Sequence, residues 1–378
     1  MARFLKRILL QKTFRRTIMT NPHGSIQIPN ITLPEFIFQS FDKHPNETAV
    51  ECSVTKKRYT FDEIRTKTRN FNTNLRKKLN LNRGDVIAVV LPNVPDYPVC
   101  VLGALEAGLI VTTINPSYVA DEVSWQLKDA KAKAVITLGS NYSTVKAATD
   151  ILKEHIPILT VKMEQNEGVP LGGINLDEFT ETKAQIEDVR DQNPNDIILL
   201  PYSSGTTGLP KGVELTHMNI VSNVCQISSD LTDHLPTRTG EHVNVVPGIL
   251  PWFHMYGSTM NLFKQLRQFS KLVSVPKFTP NRFIKLLEEY NPNILYLAPP
   301  TILFLTSNPS VTPKLLKRLT TIGSGAAPLT KSDEEKLTKK LERHVDILQG
   351  YGLTETSPTA SVSTPQSVKK LDIQEAVA

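Results

Sequence analysis

The sequence predicts an α/β fold composed of two stacked α/β subdomains with mainly parallel sheets. Helical segments alternate with short runs rich in Val and Ile, an alternation typical of parallel sheets covered by helices on both faces. The chain has 378 residues, of which 40% are hydrophobic. A chain of this length and composition can bury a sizeable core, and it favours two subdomains over one.

Helix and strand signals alternate through the first part of the chain. Thr60 and Glu63 have the spacing of a capping box that opens the helical segment TFDEIRTKTRNFNTNLRKKL, and DVIAVVLP then predicts a buried strand. The stretch from Tyr97 to Ile114 is nearly apolar, but Glu106 and Gly108 interrupt it. We therefore predict a helix that ends at Gly108, then the strand LIVTTI, and no membrane-spanning segment.

The same alternation continues into the middle of the chain. DEVSWQLKDAKAKAVIT predicts a helix and then a strand, and the polar, acid-rich residues 181–196 predict a boundary between the subdomains. DIILL then predicts a buried strand, and LTHMNIVSNVCQI has helical spacing. The intervening YSSGTTGLPKG, residues 202–212, is therefore expected on a turn between strand and helix, where backbone amides can face an anion.

The net positive charge of the chain comes from its first twenty residues. The formal net charge is +6, and the rest of the chain has 37 basic and 37 acidic residues once the leader is set aside. Because the body is neutral, the sequence does not favour a nucleic-acid partner. The six basic residues of the leader are Arg3, Lys6, Arg7, Lys12, Arg15 and Arg16.

Residues 1–20 form a basic leader without carboxylates, and the first acidic residue is Glu35. Apolar and basic residues interleave in it as in a mitochondrial transit peptide, so we expect mitochondrial import. A surface-bound or disordered basic arm has the same composition, and cytoplasmic or peroxisomal localisation stays open, although the C-terminus lacks an SKL-type signal. Cys52, Cys100 and Cys225 are scattered without metal-ligand spacing, so neither a disulfide framework nor a zinc site is predicted.

The glycine-rich stretch has the composition of a phosphate-binding loop. Gly205 and Gly208 permit close approach of the backbone to a ligand, and Lys211 supplies a positive charge. The hydroxyls that could bind phosphate oxygens are those of Ser203, Ser204, Thr206 and Thr207. The stretch is not a Walker P-loop, because Leu209 and Pro210 follow the second glycine and proline has no amide proton. On composition alone, a loop without a ligand remains the alternative.

The ordered run SSGTTGLPKG resembles the AMP-forming adenylating enzymes: acyl-CoA synthetases, 4-coumarate-CoA ligases and beetle luciferases. Three further segments are similar to motifs of that superfamily and follow in its order: LPWFHMYG (250–257), GSGAAPL (323–329) and LQGYGLTETSP (348–358). The resemblance covers residues from about 30 to 359. It implies a large AMP-binding domain over residues 21–359, after the leader and before a divergent tail at 360–378.

The resemblance implies ATP-dependent activation of a carboxylic acid to an acyl adenylate and then an acyl-CoA thioester, with ATP, Mg²⁺ and coenzyme A. It places the loop at the β- and γ-phosphates with Lys211 as counter-charge, Thr354 at the α-phosphate and Glu355 at Mg²⁺. It implies that Tyr351 stacks on adenine. The other residues implied for the adenine pocket are Gly325, Ala326, Gln349 and Gly350.

The resemblance also implies residues for the acid and for coenzyme A. His254 would bind the substrate carboxylate, since a carboxylic acid has already lost its proton at neutral pH. Tyr256 and Met260 would form walls of the acyl pocket, and Lys277 would contact coenzyme A. Ordinary packing of His254, Tyr351 and Met260 in the core is the alternative, as is a solvated surface position for Lys277.

Two expectations concern the substrate and the extent of the chain. The sequence identifies no buried charge in the pocket wall, which favours a fatty or aromatic acid; the oligomeric state is not predicted. The chain resembles only the N-terminal domain of an acyl-adenylating enzyme: the ribose-binding aspartate, the hinge and the C-terminal domain with its catalytic lysine have no counterpart in the sequence. We therefore expect binding of MgATP with impaired turnover. The alternatives to this ligase function are a noncatalytic ATP- or acyl-binding module and a luciferase-like monooxygenase relative.

Overall fold

The computed structural model describes residues 25–183, 192–203, 210–230, 232, 239 and 242–364, and all structural statements below concern these residues. The basic leader lies outside them, as do residues 184–191 of the predicted boundary and residues 365–378 of the tail. The division into subdomains at 181–196 thus stays a prediction.

The described helices are α1 (Leu33–Phe38), α2 (Phe61–Leu79), α3 (Asp96–Glu106), α4 (Ala120–Asp129), α5 (Tyr142–Leu152), α6 (Asp177–Thr180), α7 (His217–Ile227), α8 (Lys264–Arg267), α9 (Pro280–Tyr290), α10 (Pro299–Ser307) and α11 (Lys331–Leu341). A π-helical segment, Gly257–Phe263, leads directly into α8. Short 3₁₀ turns occur at Phe41–Lys43, Gly139–Asn141 and Thr354–Thr356.

The described strands are β1 (Thr48–Cys52), β2 (Arg58–Thr60), β3 (Val86–Val90), β4 (Ile110–Thr113), β5 (Ala132–Leu138), β6 (Ile158–Val161), β7 (Ile174–Asn175), β8 (Ile197–Leu199), β9 (Tyr202–Ser203), β10 (Lys211–Gly212), β11 (Leu215–Thr216), β12 (Val245–Gly248), β13 (Lys271–Ser274), β14 (Ile294–Leu297), β15 (Thr321–Ser324), β16 (Asp346–Gly352) and β17 (Thr359–Val362).

Within the described ranges, these strands form three larger sheets and one hairpin. A seven-stranded sheet has the order β11-β8-β4-β3-β5-β6-β7, and only its edge strand β11 is antiparallel to its neighbour. The sheet β14-β15-β16-β17 is parallel except for β17, and the sheet β12-β13-β1-β2 is parallel except for β2. The predicted α/β class with mainly parallel sheets is confirmed. The pairing of β1 with β13 joins distant parts of the chain in one sheet.

Local signals in the sequence correspond to the observed element boundaries. Glu63 N donates to Thr60 Oγ1 at 3.1 Å, and Thr60 N donates to Glu63 Oε2 at 2.7 Å, which confirms the capping box at the start of α2. Helix α3 ends at Glu106, and Gly108 follows with φ of +75°, a conformation that favours glycine before the buried strand β4. No helix in the described part of the chain is long and apolar enough to cross a membrane.

The buried His217 gives a first prediction, on the pH dependence of stability. Its Nδ1 accepts a hydrogen bond from Leu33 N at 2.9 Å, and burial lowers its pKa from 6.5 to about 4. The unfolded chain therefore binds a proton between these pH values that the folded chain does not. We expect His217 to make its full contribution to the free energy of unfolding above pH 6.5. That contribution should fall by roughly 3 kcal/mol as the pH decreases to 4.

The measurement is urea unfolding between pH 4 and pH 7.5. His217→Asn keeps an acceptor for the Leu33 amide but does not titrate, so its stability should depend less steeply on pH over the same interval. Equal pH slopes for the two proteins would contradict the assignment of this titration to His217.

Candidate active site

A cavity of about 1130 Å³ is lined by residues of the seven-stranded sheet and of the β14–β17 sheet, and its lining includes the carboxyl ends of β4, β9, β15 and β16. Ligands of open α/β sheets bind at such strand ends. The structure brings most of the predicted site residues to this one cavity. The predicted residues that line it are Ser203, Pro210, Lys211, His254, Tyr256, Met260, Gly325, Ala326, Gly350, Tyr351, Thr354 and Glu355.

The two ends of the predicted phosphate loop lie beside the predicted magnesium ligand. Ser203 and Lys211 are paired across the β9–β10 hairpin. Ser203 Oγ donates to Glu355 Oε1 at 3.0 Å, so a residue of the loop contacts a carboxylate that is 152 positions away. The residues between them, Ser204, Gly205, Thr206, Thr207, Gly208 and Leu209, lie outside the described part of the chain.

Thr354 and Glu355 lie on the 3₁₀ turn that follows β16, and Asn223 holds this turn against α7. Asn223 is 3% exposed; its Nδ2 donates to Thr359 O at 2.8 Å and its Oδ1 accepts from Thr359 N at 3.2 Å. Thr259 Oγ1 also donates to Ser357 O at 3.3 Å. Sequence reasoning missed Asn223. The signal was a polar side chain on the buried face of an apolar helix, which requires a partner.

Buried polar residues of the seven-stranded sheet and its helices position the segment that carries His254. Asn93 Nδ2 donates to Gly248 O at 2.8 Å and to Leu250 O at 2.9 Å, and Asn93 Oδ1 accepts from Trp252 N at 2.8 Å. Thr113 Oγ1 donates to Phe253 O at 2.7 Å, and Tyr97 Oη donates to Trp252 O at 2.9 Å. These bonds fix the backbone of residues 248–253, which lead directly into the histidine. The sequence did not identify any of these donors.

His254 has a defined tautomer. Tyr256 N donates to His254 Nδ1 at 3.2 Å, so the neutral ring carries its proton on Nε2. The side chain is open to the cavity, yet the surrounding protein desolvates it and lowers its pKa below 6.5. At neutral pH His254 is therefore an uncharged hydrogen-bond donor, which suits the binding of a carboxylate that is already ionised.

Two glycines of the 323–329 segment make room for aromatic walls of the cavity. A Cβ on Gly325 would lie 2.9 Å from Tyr256 Cζ, and a Cβ on Gly323 would lie 2.5 Å from Tyr296 Cδ1. Tyr256 Oη donates to Gly323 O at 3.4 Å. The Tyr296 ring can therefore lie directly on strand β15 at Gly323, and the Tyr256 ring can lie on Gly325 just after the strand, because neither position carries a side chain.

Three expectations need correction or remain open. Gln349 does not line the cavity: its Nε2 donates to Leu329 O at 3.0 Å and to Glu334 Oε1 at 2.8 Å, so it holds the 323–329 segment from the other face of β16. The expectation of a wall without buried charge is wrong, because Lys264 lines the cavity and is 4% exposed. Lys277 is exposed and lies outside the cavity lining, and its contact with coenzyme A stays a prediction.

The donor set suits a magnesium ion that is bound together with phosphates. The described residues contain no group of three or more His, Cys, Asp or Glu side chains that could hold a metal ion. Mg²⁺ is commonly bound by one or two carboxylates while substrate phosphates and water complete its shell. Glu355, with the Ser203 hydroxyl beside it, fits that arrangement.

The fold and the cavity together define an α/β protein with a candidate ligand site between its sheets. The chain belongs to the AMP-binding enzyme family, whose profile matches residues 37–375. It is 31% identical over 379 residues to the probable 4-coumarate–CoA ligase 1 of Dictyostelium discoideum, and the match covers 96% of this chain and 66% of that relative. The predicted family is confirmed, and the chain spans slightly less than two thirds of the relative's length.

Solved structures of adenylating enzymes share the fold. The anthranilate CoA ligase AuaEII in complex with anthranoyl-AMP superposes with a TM-score of 0.78 at 18% identity, covering 89% of this chain and 62% of that one. A long-chain-fatty-acid-CoA ligase from Archaeoglobus fulgidus superposes with a TM-score of 0.78 at 23% identity, covering 92% of this chain and 69% of that one. At identities of 18% and 23%, the similarity to these structures shows a shared fold.

Proposed function

We propose that this chain binds MgATP and a carboxylic acid in the cavity and activates the acid as an acyl adenylate, for later transfer to coenzyme A. The observation that carries the proposal is the contact between Ser203 and Glu355. It joins the predicted phosphate loop to the predicted magnesium ligand at the wall of a cavity that His254 also lines. The names of the relatives, which are acid–CoA ligases, support the same reaction class.

In the proposed first step, a carboxylate oxygen attacks the α-phosphorus of ATP, and the bond to pyrophosphate breaks. Two anions must approach each other, so their repulsion has to be offset by groups that are already in place. Lys211 contributes positive charge at the β- and γ-phosphates, and Thr354 donates to an α-phosphate oxygen. His254 donates from Nε2 to the carboxylate and orients it for attack. Mg²⁺ held by Glu355 would neutralise phosphate charge.

In the proposed second step, the thiol sulfur of coenzyme A attacks the acyl carbon and AMP leaves. Splitting the reaction in this way replaces one difficult displacement by two easier ones, since AMP is a good leaving group. Lys277 is the residue we propose to contact coenzyme A. The acid itself is proposed only as a fatty or aromatic carboxylic acid.

The experiment combines titration with acid-dependent exchange of labelled pyrophosphate into ATP. We expect His254→Ala to weaken binding of the acid by about 10- to 100-fold, the range for a lost hydrogen bond to a charged group, with MgATP affinity within about twofold of wild type. His155→Ala is the matched control, because His155 is an exposed histidine outside the cavity lining.

Absence of MgATP binding to the wild-type chain would overturn the proposal. MgATP binding without any acid-dependent exchange across fatty and aromatic acids would favour the alternative of a noncatalytic binding module. Unchanged acid affinity in His254→Ala would remove the histidine from the proposed site.

A further inference from the structure

A buried asparagine of helix α7 bonds to the backbone just after the turn that carries Thr354 and Glu355. Asn223 Nδ2 donates to Thr359 O at 2.8 Å and to Thr356 O at 3.4 Å, and Asn223 Oδ1 accepts from Thr359 N at 3.2 Å. Both polar groups of the amide are thus bonded to this segment. Because a donor and an acceptor are satisfied together, the bonds define the position of the turn relative to α7.

Helix α7 itself is fixed by the protein core. Ile220, Val221 and Val224 are fully buried and belong to the largest hydrophobic cluster of the described residues. The first residue of the helix, His217, accepts a hydrogen bond from Leu33 N at 2.9 Å. Close-packed cores permit little displacement of such a helix. Loss of the asparagine bonds would therefore release the turn and leave the helix in place.

The same helix follows the predicted phosphate loop directly. Strand β10 begins at Lys211, and α7 begins at His217, after the short strand β11. At the other end of the loop, Ser203 Oγ donates to Glu355 Oε1 at 3.0 Å. Through Asn223, the helix that follows the loop also holds the segment that carries Glu355. The loop and the carboxylate thus share one rigid support.

The position of this carboxylate matters because Mg²⁺ tolerates little distortion. The ion requires near-ideal octahedral coordination, with oxygens at about 2.0–2.1 Å. A single carboxylate that binds it together with phosphates must therefore lie at a defined distance from the groups that bind those phosphates. Residues that orient a metal ligand through hydrogen bonds are important for this reason, and their loss typically lowers metal affinity about 10- to 100-fold.

We propose that Asn223 is a positioning residue for the Mg²⁺ ion that is bound with ATP. It lies outside the cavity lining, so it contacts neither the metal nor the nucleotide. It acts through Glu355, by holding the turn at the distance from the phosphate loop that Mg²⁺ coordination requires. This inference rests on the proposed function, because it assumes that Glu355 holds Mg²⁺.

The first test is titration of ATP into wild-type and Asn223→Ala chains, with saturating Mg²⁺ and again with a chelator. We expect Asn223→Ala to weaken MgATP binding at least tenfold, within the range for a lost partner of a metal ligand. Its affinity for ATP in the chelator should stay within about twofold of wild type, because the asparagine acts through the metal. General damage to the fold would lower both affinities by the same factor.

A double-mutant cycle then tests whether Asn223 acts through Glu355. Residues that act on one interaction give non-additive losses, whereas independent residues give additive ones. In a Glu355→Gln chain, the carboxylate that Asn223 would position is already gone. We therefore expect Asn223→Ala to weaken MgATP binding by no more than about twofold in that background, against at least tenfold in the wild-type background.

Matched variants separate this effect from weakening of the helix. Asn219→Ala removes an exposed asparagine of α7 whose Oδ1 accepts from Thr216 N at 2.9 Å, so it should weaken the helix start and keep wild-type MgATP affinity. If Asn223→Ala does not fold, Asn223→Asp supplies the second measurement. It keeps the size and the acceptor for Thr359 N but loses the donor to Thr359 O, and should weaken MgATP binding at least threefold.

The outcomes distinguish this inference from the proposed function. Equal losses with Mg²⁺ and with the chelator, or additive losses in the cycle, would overturn the role of Asn223 and leave wild-type adenylation as it is. The expected losses in a chain without acid-dependent pyrophosphate exchange would support Asn223 while favouring the noncatalytic module over adenylation. ATP binding by the wild-type chain that does not depend on Mg²⁺ would overturn this inference directly.

Discussion

Glu355→Gln is expected to weaken MgATP binding by about 100-fold, or roughly 2.7 kcal/mol, with little change in the fold. The substitution removes the negative charge that would hold Mg²⁺, a hard cation that prefers charged oxygen ligands. It keeps an oxygen acceptor of the same size for Ser203 Oγ, so the contact between the loop and the turn can persist. The measurement is titration of ATP at fixed Mg²⁺ concentrations.

Two comparisons make this expectation specific to the metal. In the presence of a chelator, wild-type and Glu355→Gln chains should bind ATP equally weakly, because the lost charge acts through Mg²⁺. Glu335→Gln, which removes an exposed carboxylate of α11 outside the cavity lining, should behave as wild type. A Glu355→Gln chain with wild-type MgATP affinity would show that this carboxylate is not a magnesium ligand.

The sequence predicted those parts of the molecule that depend on neighbouring residues. The capping box of Thr60 and Glu63 and the helix end just before Gly108 each involve groups within a few positions of one another, and both are observed. The four motifs that follow one another along the sequence also identified the segments that meet at the cavity. They could do so because each motif is a short run of backbone with its own turn chemistry.

The sequence did not predict which side chains hold these segments together. Asn93 bonds to a carbonyl 155 residues away and Asn223 to one 136 residues away, and no local pattern encodes such partners. The error at Gln349 has a simpler cause, since successive side chains of a strand point to opposite faces. Leu348 lines the cavity, so the side chain of its neighbour Gln349 lies on the other face of β16, where it donates to Leu329 O. The presence of a residue in a motif does not specify on which face of the strand its side chain lies.

Gly352→Ala is expected to destabilise the fold by about 3 kcal/mol and to abolish MgATP binding at millimolar ATP. A Cβ at this position would lie 2.0 Å from Pro358 O and 2.8 Å from Pro358 C, both of which are backbone atoms. Adding a side-chain atom to a closely packed site typically destabilises the fold by about 1–3 kcal/mol. We expect a value near the upper end of this range, because backbone atoms must move. The turn that carries Thr354 and Glu355 lies between these two strands, so it would be displaced with them.

The Pro358 backbone cannot withdraw without losing other bonds. Leu353 N donates to Pro358 O at 3.0 Å, and the adjoining Thr359 is held by Asn223. Gly350→Ala is the matched control in the same strand, since its Cβ would lie 3.6 Å from Ser361 O, an ordinary contact distance. In urea unfolding, Gly350→Ala should keep the wild-type midpoint while Gly352→Ala shifts it to lower urea. A wild-type midpoint for Gly352→Ala would mean that the β16–β17 hairpin accommodates a side chain there, and the glycine would then have no steric role in positioning Glu355.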